Sequence, residues 1–151
     1  MENSRQYTAG QYLRMAKTIS EYLDKRTNAI LKAYNLTNSQ VLLLDALSKN
    51  DDMTCSLKAL EAEMNMAQPT VVGLVQRLES KGLVTTCNSP KDHRVKYAQM
   101  TAEGKASYEV AIHAVANEIG PMLHMIMTED ELKDHMRKMS CIYRWIREQD
   151  S

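Results

Sequence analysis

Residues 56–100 read SLKALEAEMNMAQPTVVGLVQRLESKGLVTTCNSPKDHRVKYAQM, and this stretch decides the fold. Leu57, Leu60 and Met64 recur at helical spacing, and Ser56 stands where an N-cap belongs. Pro69 opens a second helix, since its missing N–H is unneeded in the first turn. Val71, Leu74, Val75 and Leu78 form the inward stripe of that helix. Ser80-Lys81-Gly82 stops it, with glycine free to take a left-handed conformation. Leu83 to Cys87 then turns rich in valine and threonine, as strands are. Asn88-Ser89-Pro90-Lys91-Asp92 is a turn cluster, and Val95 to Met100 is the returning strand. The unit is a short helix, a tight turn, a second helix and a hairpin with a charged tip.

Helices extend on both sides. Tyr12, Met15, Ile19, Tyr22, Leu23, Ile30, Leu31 and Tyr34 recur at three- and four-residue steps and give one long first helix. Thr37 and Gln40 have the spacing of a capping box, and Val41, Leu44 and Leu47 point inward from the helix they open. Thr101 caps a fifth helix of some two dozen residues, which Gly120-Pro121 should kink or break. Thr128 and Glu131 form a second capping box, and Leu132, Met136, Met139, Ile142 and Tyr143 line the apolar side of the last helix. The fold class is mainly α: a winged helix-turn-helix with a small β-hairpin wing and long terminal helices.

Composition narrows the function. The 151 residues carry 19 Lys+Arg against 19 Asp+Glu, so a uniformly basic nucleic-acid binder is excluded. The charge is uneven, however. Residues 67–96 hold five cations (Arg77, Lys81, Lys91, Arg94, Lys96) against two acids (Glu79, Asp92). An anionic partner belongs there. A 44 % apolar share supplies a core. No apolar run reaches the ~20 residues of a membrane span. The polar start, Met1 to Arg14, has no signal-peptide core, and three cysteines make no disulfide scaffold; a reducing cytoplasm is the expected compartment.

A second helix of such a pair fits the DNA major groove. Opposite its apolar stripe it displays Gln68, Thr70, Gly73, Gln76 and Arg77, without a carboxylate. The hairpin tip brings Lys91, His93 and Arg94 to a flanking minor groove, whose negative potential suits arginine. At these residues the chain resembles the MarR family of bacterial transcription regulators. Five stretches match in order: Leu36-Thr37 with Gln40, Leu60 to Thr70, Arg77 to Val84, Ser89 to Arg94 with the family's Asp-x-Arg wing motif, and Met100 to Gly104.

The resemblance implies a homodimer that reads a pseudo-palindromic operator in double-stranded DNA. Residues 1–35 and 101–151 would form its helical dimerisation region, and 36–100 the DNA-binding lobe. It implies that Asp92 buttresses Arg77 on the recognition helix while Arg94 enters the minor groove. It implies a small aromatic ligand held near Tyr12, Met15 and Ile19. Gly73 departs from the pattern, standing where the family often has an arginine, and Cys87 stands where basic residues are common.

Other readings are weaker. Cys55, near a helix N-terminus, is the best thiol for redox sensing. His113, His124 and His135 are evenly spaced but form no metal-binding pair, and no metal or other cofactor is expected. The methionines of the last two helices read as adaptable packing. No phosphate loop or nucleophile elbow occurs, so catalysis is not expected. A winged-helix module for a protein partner remains the alternative from another class.

Overall fold

A computed structural model describes residues 8–89, 92 and 94–149. The elements run α1 (Ala9–Leu31), a 3₁₀ turn (Lys32–Tyr34), α2 (Asn38–Ser48), β1 (Thr54–Ser56), α3 (Leu57–Met64), α4 (Gln68–Ser80), β2 (Val84–Asn88), β3 (Lys96–Met100), α5 (Ala102–Ile126) and α6 (Glu129–Gln149). The chain forms two compact units, 1–113 and 114–151.

The first unit is built on α2. Leu43, Leu44 and Leu47 are fully buried there, together with Leu31, Leu60, Val71 and Leu78 from α1, α3 and α4. Each such side chain contributes about 1.5–3 kcal/mol by leaving water. Thr37 caps α2 in a reciprocal box: Gln40 N–H donates to Thr37 Oγ1 (3.3 Å), and Thr37 N–H donates to Gln40 Oε1 (3.1 Å). Ser56 caps α3 through Ala59 N–H (3.1 Å), and Gly82 takes φ 71° after α4. All three features follow the sequence pattern.

The sheet is larger than the expected hairpin. Its order is β1-β3-β2, with both pairings antiparallel. Strand β1 is three residues long and pairs Thr54 with Gln99 and Ser56 with Tyr97. It is held by backbone bonds to the outer edge of β3, which needs no alternating pattern.

Two helix boundaries also differ from expectation. Helix α4 starts at Gln68, with Pro69 one position later, behind an Ala67 that makes no side-chain cap. Helix α5 is not broken at Pro121 but continues to Ile126. Proline there removes one donor, which leaves the Asn117 carbonyl without its usual partner, and five further residues sustain the helix.

The start of α5 lies against the strand it follows. Thr101 Oγ1 donates to the Gly82 carbonyl (2.8 Å) and accepts from Gly104 N–H (2.9 Å). Gly104 is buried, and a Cβ there would overlap the Leu83 carbonyl oxygen. Further along, Tyr108 OH donates to Asp45 Oδ1 (2.6 Å), and Lys49 bridges Asp45 (3.2 Å) and Glu63 (3.0 Å). Burial first, then the Asp45 carboxylate, pushes the Tyr108 phenol up, so it stays a neutral donor. This polar chain ties α5, α2 and α3 together.

The second unit holds the end of α5 and all of α6. Thr128 and Glu131 form the expected capping box, with Thr128 N–H donating to Glu131 Oε2 (2.9 Å) and Glu131 N–H to Thr128 Oγ1 (3.4 Å). Helix α6 buries none of its residues: Met136, Met139, Ile142, Tyr143 and Trp145 are all exposed.

Candidate nucleic-acid interface

Helix α4 turns Val71, Leu74, Val75 and Leu78 into the core, so its remaining positions face out. Gln68, Thr70, Gln76 and Arg77 are exposed. The Arg77 guanidinium lies along its own helix, with Nε donating to the Gly73 carbonyl (2.9 Å). The absence of a side chain at Gly73 gives it that room: a Cβ there would come within 3.3 Å of Arg77 Nη2.

The wing is joined to α4 through Glu79. Its Oε1 accepts from Thr86 N–H (3.2 Å) and Thr86 Oγ1 (2.8 Å) on β2. At the tip, Ser89 N–H donates to the Val95 carbonyl (2.8 Å) and Val95 N–H to the Asp92 carbonyl (2.9 Å). Asp92 then holds Arg94 from the side. Its carboxylate accepts from Arg94 N–H (3.0 Å), Nε (3.2 Å) and Nη2 (3.4 Å). The Arg94 side chain is nonetheless 91 % exposed. A guanidinium held along one edge keeps its other N–H groups aimed at solvent.

This corrects one expectation. Asp92 supports Arg94 itself and makes no hydrogen bond or ion pair with Arg77. The two residues are two apart on one turn, so the carboxylate meets Arg94 without crossing to α4. Lys91 and His93 lie outside the described residues.

The Arg94 side chain, then its backbone N–H, holds the Asp92 carboxyl below the usual carboxylate range. The pairing is complete above the ordinary aspartate pKa of about 3.9 and is lost as pH falls through the lowered value. A carbon-detected NMR titration should give Asp92 a midpoint below that of an ordinary aspartate. Arg94→Ala should bring it back up; an unchanged midpoint in the variant would dissociate the two groups.

Gln68, Gln76 and Arg94 line one groove of about 660 Å³ between α3, α4 and the wing. Its charge is mixed, with Lys58 and Lys96 beside Glu61 and Glu79. Thr70, Gln76 and Arg77 are exposed on α4 without an adjoining free carboxylate on that helix, and its exposed Glu79, beside Gln76, is bonded to Thr86. Arg77 lines a different cavity, with the end of α1. Tyr12, Met15 and Ile19 form an open stripe on α1, each more than half exposed.

Cys55 sits half-buried in β1, where burial first and the Glu63 carboxylate second push its thiol up. The expected lowering by the neighbouring helix is outweighed, and the site disfavours a thiolate. Among the described residues there is no group of three or more His, Cys, Asp or Glu suited to a metal, and no helix long and apolar enough to cross a membrane.

Known proteins place this geometry. The MarR family model matches residues 34–95. The regulator FarR of Neisseria gonorrhoeae, an HTH-type transcriptional regulator, is 30 % identical over 89 residues, which are 59 % of this chain and 60 % of that protein. The chain thus matches less than two thirds of that relative's length. Among solved structures, Sco3205 of Streptomyces coelicolor, a MarR family regulator in complex with DNA, superposes with TM-score 0.78 at 18 % identity, covering 95 % of this chain and 91 % of that one. NadR in complex with 4-hydroxyphenylacetate gives 0.66 at 23 % identity, covering 92 % and 97 %. Residues 34–95 therefore match the MarR family model, and the chain has the winged helix-turn-helix fold of MarR-family structures.

Proposed function

We propose that this protein is a sequence-specific DNA-binding transcription regulator acting as a homodimeric repressor, and not an enzyme. One observation carries the reading: an exposed polar face on α4 with Thr70, Gln76 and Arg77, whose neighbouring carboxylate Glu79 is bonded to Thr86, stands beside a wing arginine that Asp92 holds ready and that is almost wholly exposed. That pairing suits a major groove and its neighbouring minor groove. The similarity to a DNA-bound MarR-family regulator supports it.

The dimer is read from the uncovered apolar faces of α1 and α6. Residues 1–35 and 101–151 would pair, leaving 36–100 as the reading lobe. Two lobes then engage half-sites about one helical turn, ~34 Å, apart. A small aromatic ligand settling against Tyr12, Met15 and Ile19 would shift that spacing and release the operator. The similarity to NadR bound to 4-hydroxyphenylacetate supports this class of ligand. The work is done in the cytoplasm.

Fluorescence anisotropy on duplex DNA from upstream of the protein's own gene, against an unrelated duplex, tests the reading. Binding that survives competition is the expected result. Failure there, followed by failure to enrich any sequence from a random duplex library, would overturn it.

A further inference from the structure

A helix lying in the major groove has a sugar-phosphate backbone against each flank, because the groove is about as wide as the helix with its side chains. At 3.6 residues per turn, Gln68, Val72, Gln76 and Glu79 share one flank of α4, the one facing α3 and the wing. Leu74, Arg77 and Lys81 share the opposite flank. There a separate notch of about 340 Å³ opens between α4, the end of α1 and the start of α2.

The notch is basic. Lys32, Arg77 and Lys81 line it with Asn28, Asn35, Thr37, Gln40 and Leu74, and no carboxylate does. Lys81 is anchored in place: its ammonium donates to the Asn35 carbonyl and to Gln40 Oε1 (3.1 Å). An ammonium has three protons, so one is left for another acceptor. Arg77 spends Nε on Gly73 and keeps its terminal nitrogens. Lys32 is exposed on the 3₁₀ turn after α1 and makes no ion pair among the described residues. Three cations round one small concavity repel each other unless an anion joins them.

We propose that this notch holds a phosphate of the operator backbone, on the flank of α4 away from the wing, with Lys32 as its sequence-independent anchor. The proposal rests on the DNA-binding reading above and adds to it a second backbone contact. It makes the turn between α1 and α2 part of the DNA-binding surface, beyond the recognition helix and wing.

Lys32 is the residue to change, because Lys81 also supports the α1–α2 turn. Lys32→Ala should weaken binding to specific and unrelated duplexes alike. It should flatten the dependence of log affinity on log salt by about 0.9 for each phosphate no longer neutralised, or roughly 1.8 for a dimer. Lys32→Arg should restore both. Ethylation of single phosphates should interfere with wild-type binding at one position per half-site outside the wing contact, and Lys32→Ala should lose that sensitivity.

Wild-type protein that binds no duplex overturns the DNA-binding reading itself. Wild-type binding with an unchanged slope in Lys32→Ala overturns the notch alone. Titration of the protein with inorganic phosphate, without DNA, is the further arm. Lys32-dependent phosphate binding with an unchanged DNA slope would assign the notch to a free anion and refute the backbone contact.

Discussion

Replacing Arg94 with alanine is expected to cost the proposed dimer at least about 2 kcal/mol of specific DNA affinity, roughly thirtyfold, because on that reading each wing gives up one groove interaction worth about 1–3 kcal/mol. The fold should not change. The side chain is 91 % exposed, and its partner Asp92 lies on the same turn. A thermal midpoint within the small range of ordinary surface substitutions, about ±0.5 kcal/mol, would show this. Asp92→Asn should fall between wild type and Arg94→Ala. It keeps an oxygen acceptor but gives up the charge that aligns the guanidinium. Anisotropy titrations of the three proteins at one salt concentration measure the series. Equal affinities across it would remove the wing from the interface.

The second large effect is structural. Gly104→Ala places a Cβ into the Leu83 carbonyl oxygen, 2.9 Å from the Leu83 carbonyl carbon and 3.0 Å from Met100 Cγ. Methionine can move aside, but a backbone carbonyl at the head of β2 cannot. The Thr101 bonds to Gly82 and Gly104 also hold α5 at this distance. Overpacking of this kind costs about 3 kcal/mol or more. For a chain of this size that lowers the melting temperature by roughly 6–12 °C. Gly10→Ala is the control, since its nearest neighbour is an arginine terminus 3.9 Å away on an exposed helix. It should be neutral or stabilising by about 0.5–1 kcal/mol. Circular dichroism melts separate the two, and similar curves would refute the close approach of α5 to β2.

The features legible in the sequence were those that local chemistry decides. Thr37 with Gln40 and Thr128 with Glu131 announce their boxes because both partners lie within four residues. The stripe Val71, Leu74, Val75, Leu78 announces the buried side of α4 through its period. Strand β1 does not announce itself, because three residues show no period and their partner is more than forty residues away. Pro121 misleads in the other direction: one missing donor is a local signal, and a long helix absorbs it. At the interface, the exposed face of α4 and the position of Arg94 follow from pattern and turn chemistry. The partner of Asp92 and the notch beside Arg77 do not. They depend on where the wing tip and the α1–α2 turn come to rest, which no single segment encodes.

Helix α6 has a consequence for how the protein behaves at low copy number. Between residues 114 and 149 nothing is buried, yet Met136, Met139, Ile142, Tyr143 and Ile146 repeat along one side of the helix. Helices held only by caps, backbone bonds and exposed ion pairs, such as those of Asp134 with Arg137 and Lys138, are marginal in water. In the proposed assembly, ordering of this segment and association of two chains become a single mass-action equilibrium. Its melting midpoint then rises with total protein concentration. Dilution alone would loosen the segment, and synthesis of more chains would restore it. Competence of the regulator would thus rise steeply rather than in proportion to the amount made, a threshold written into the last helix.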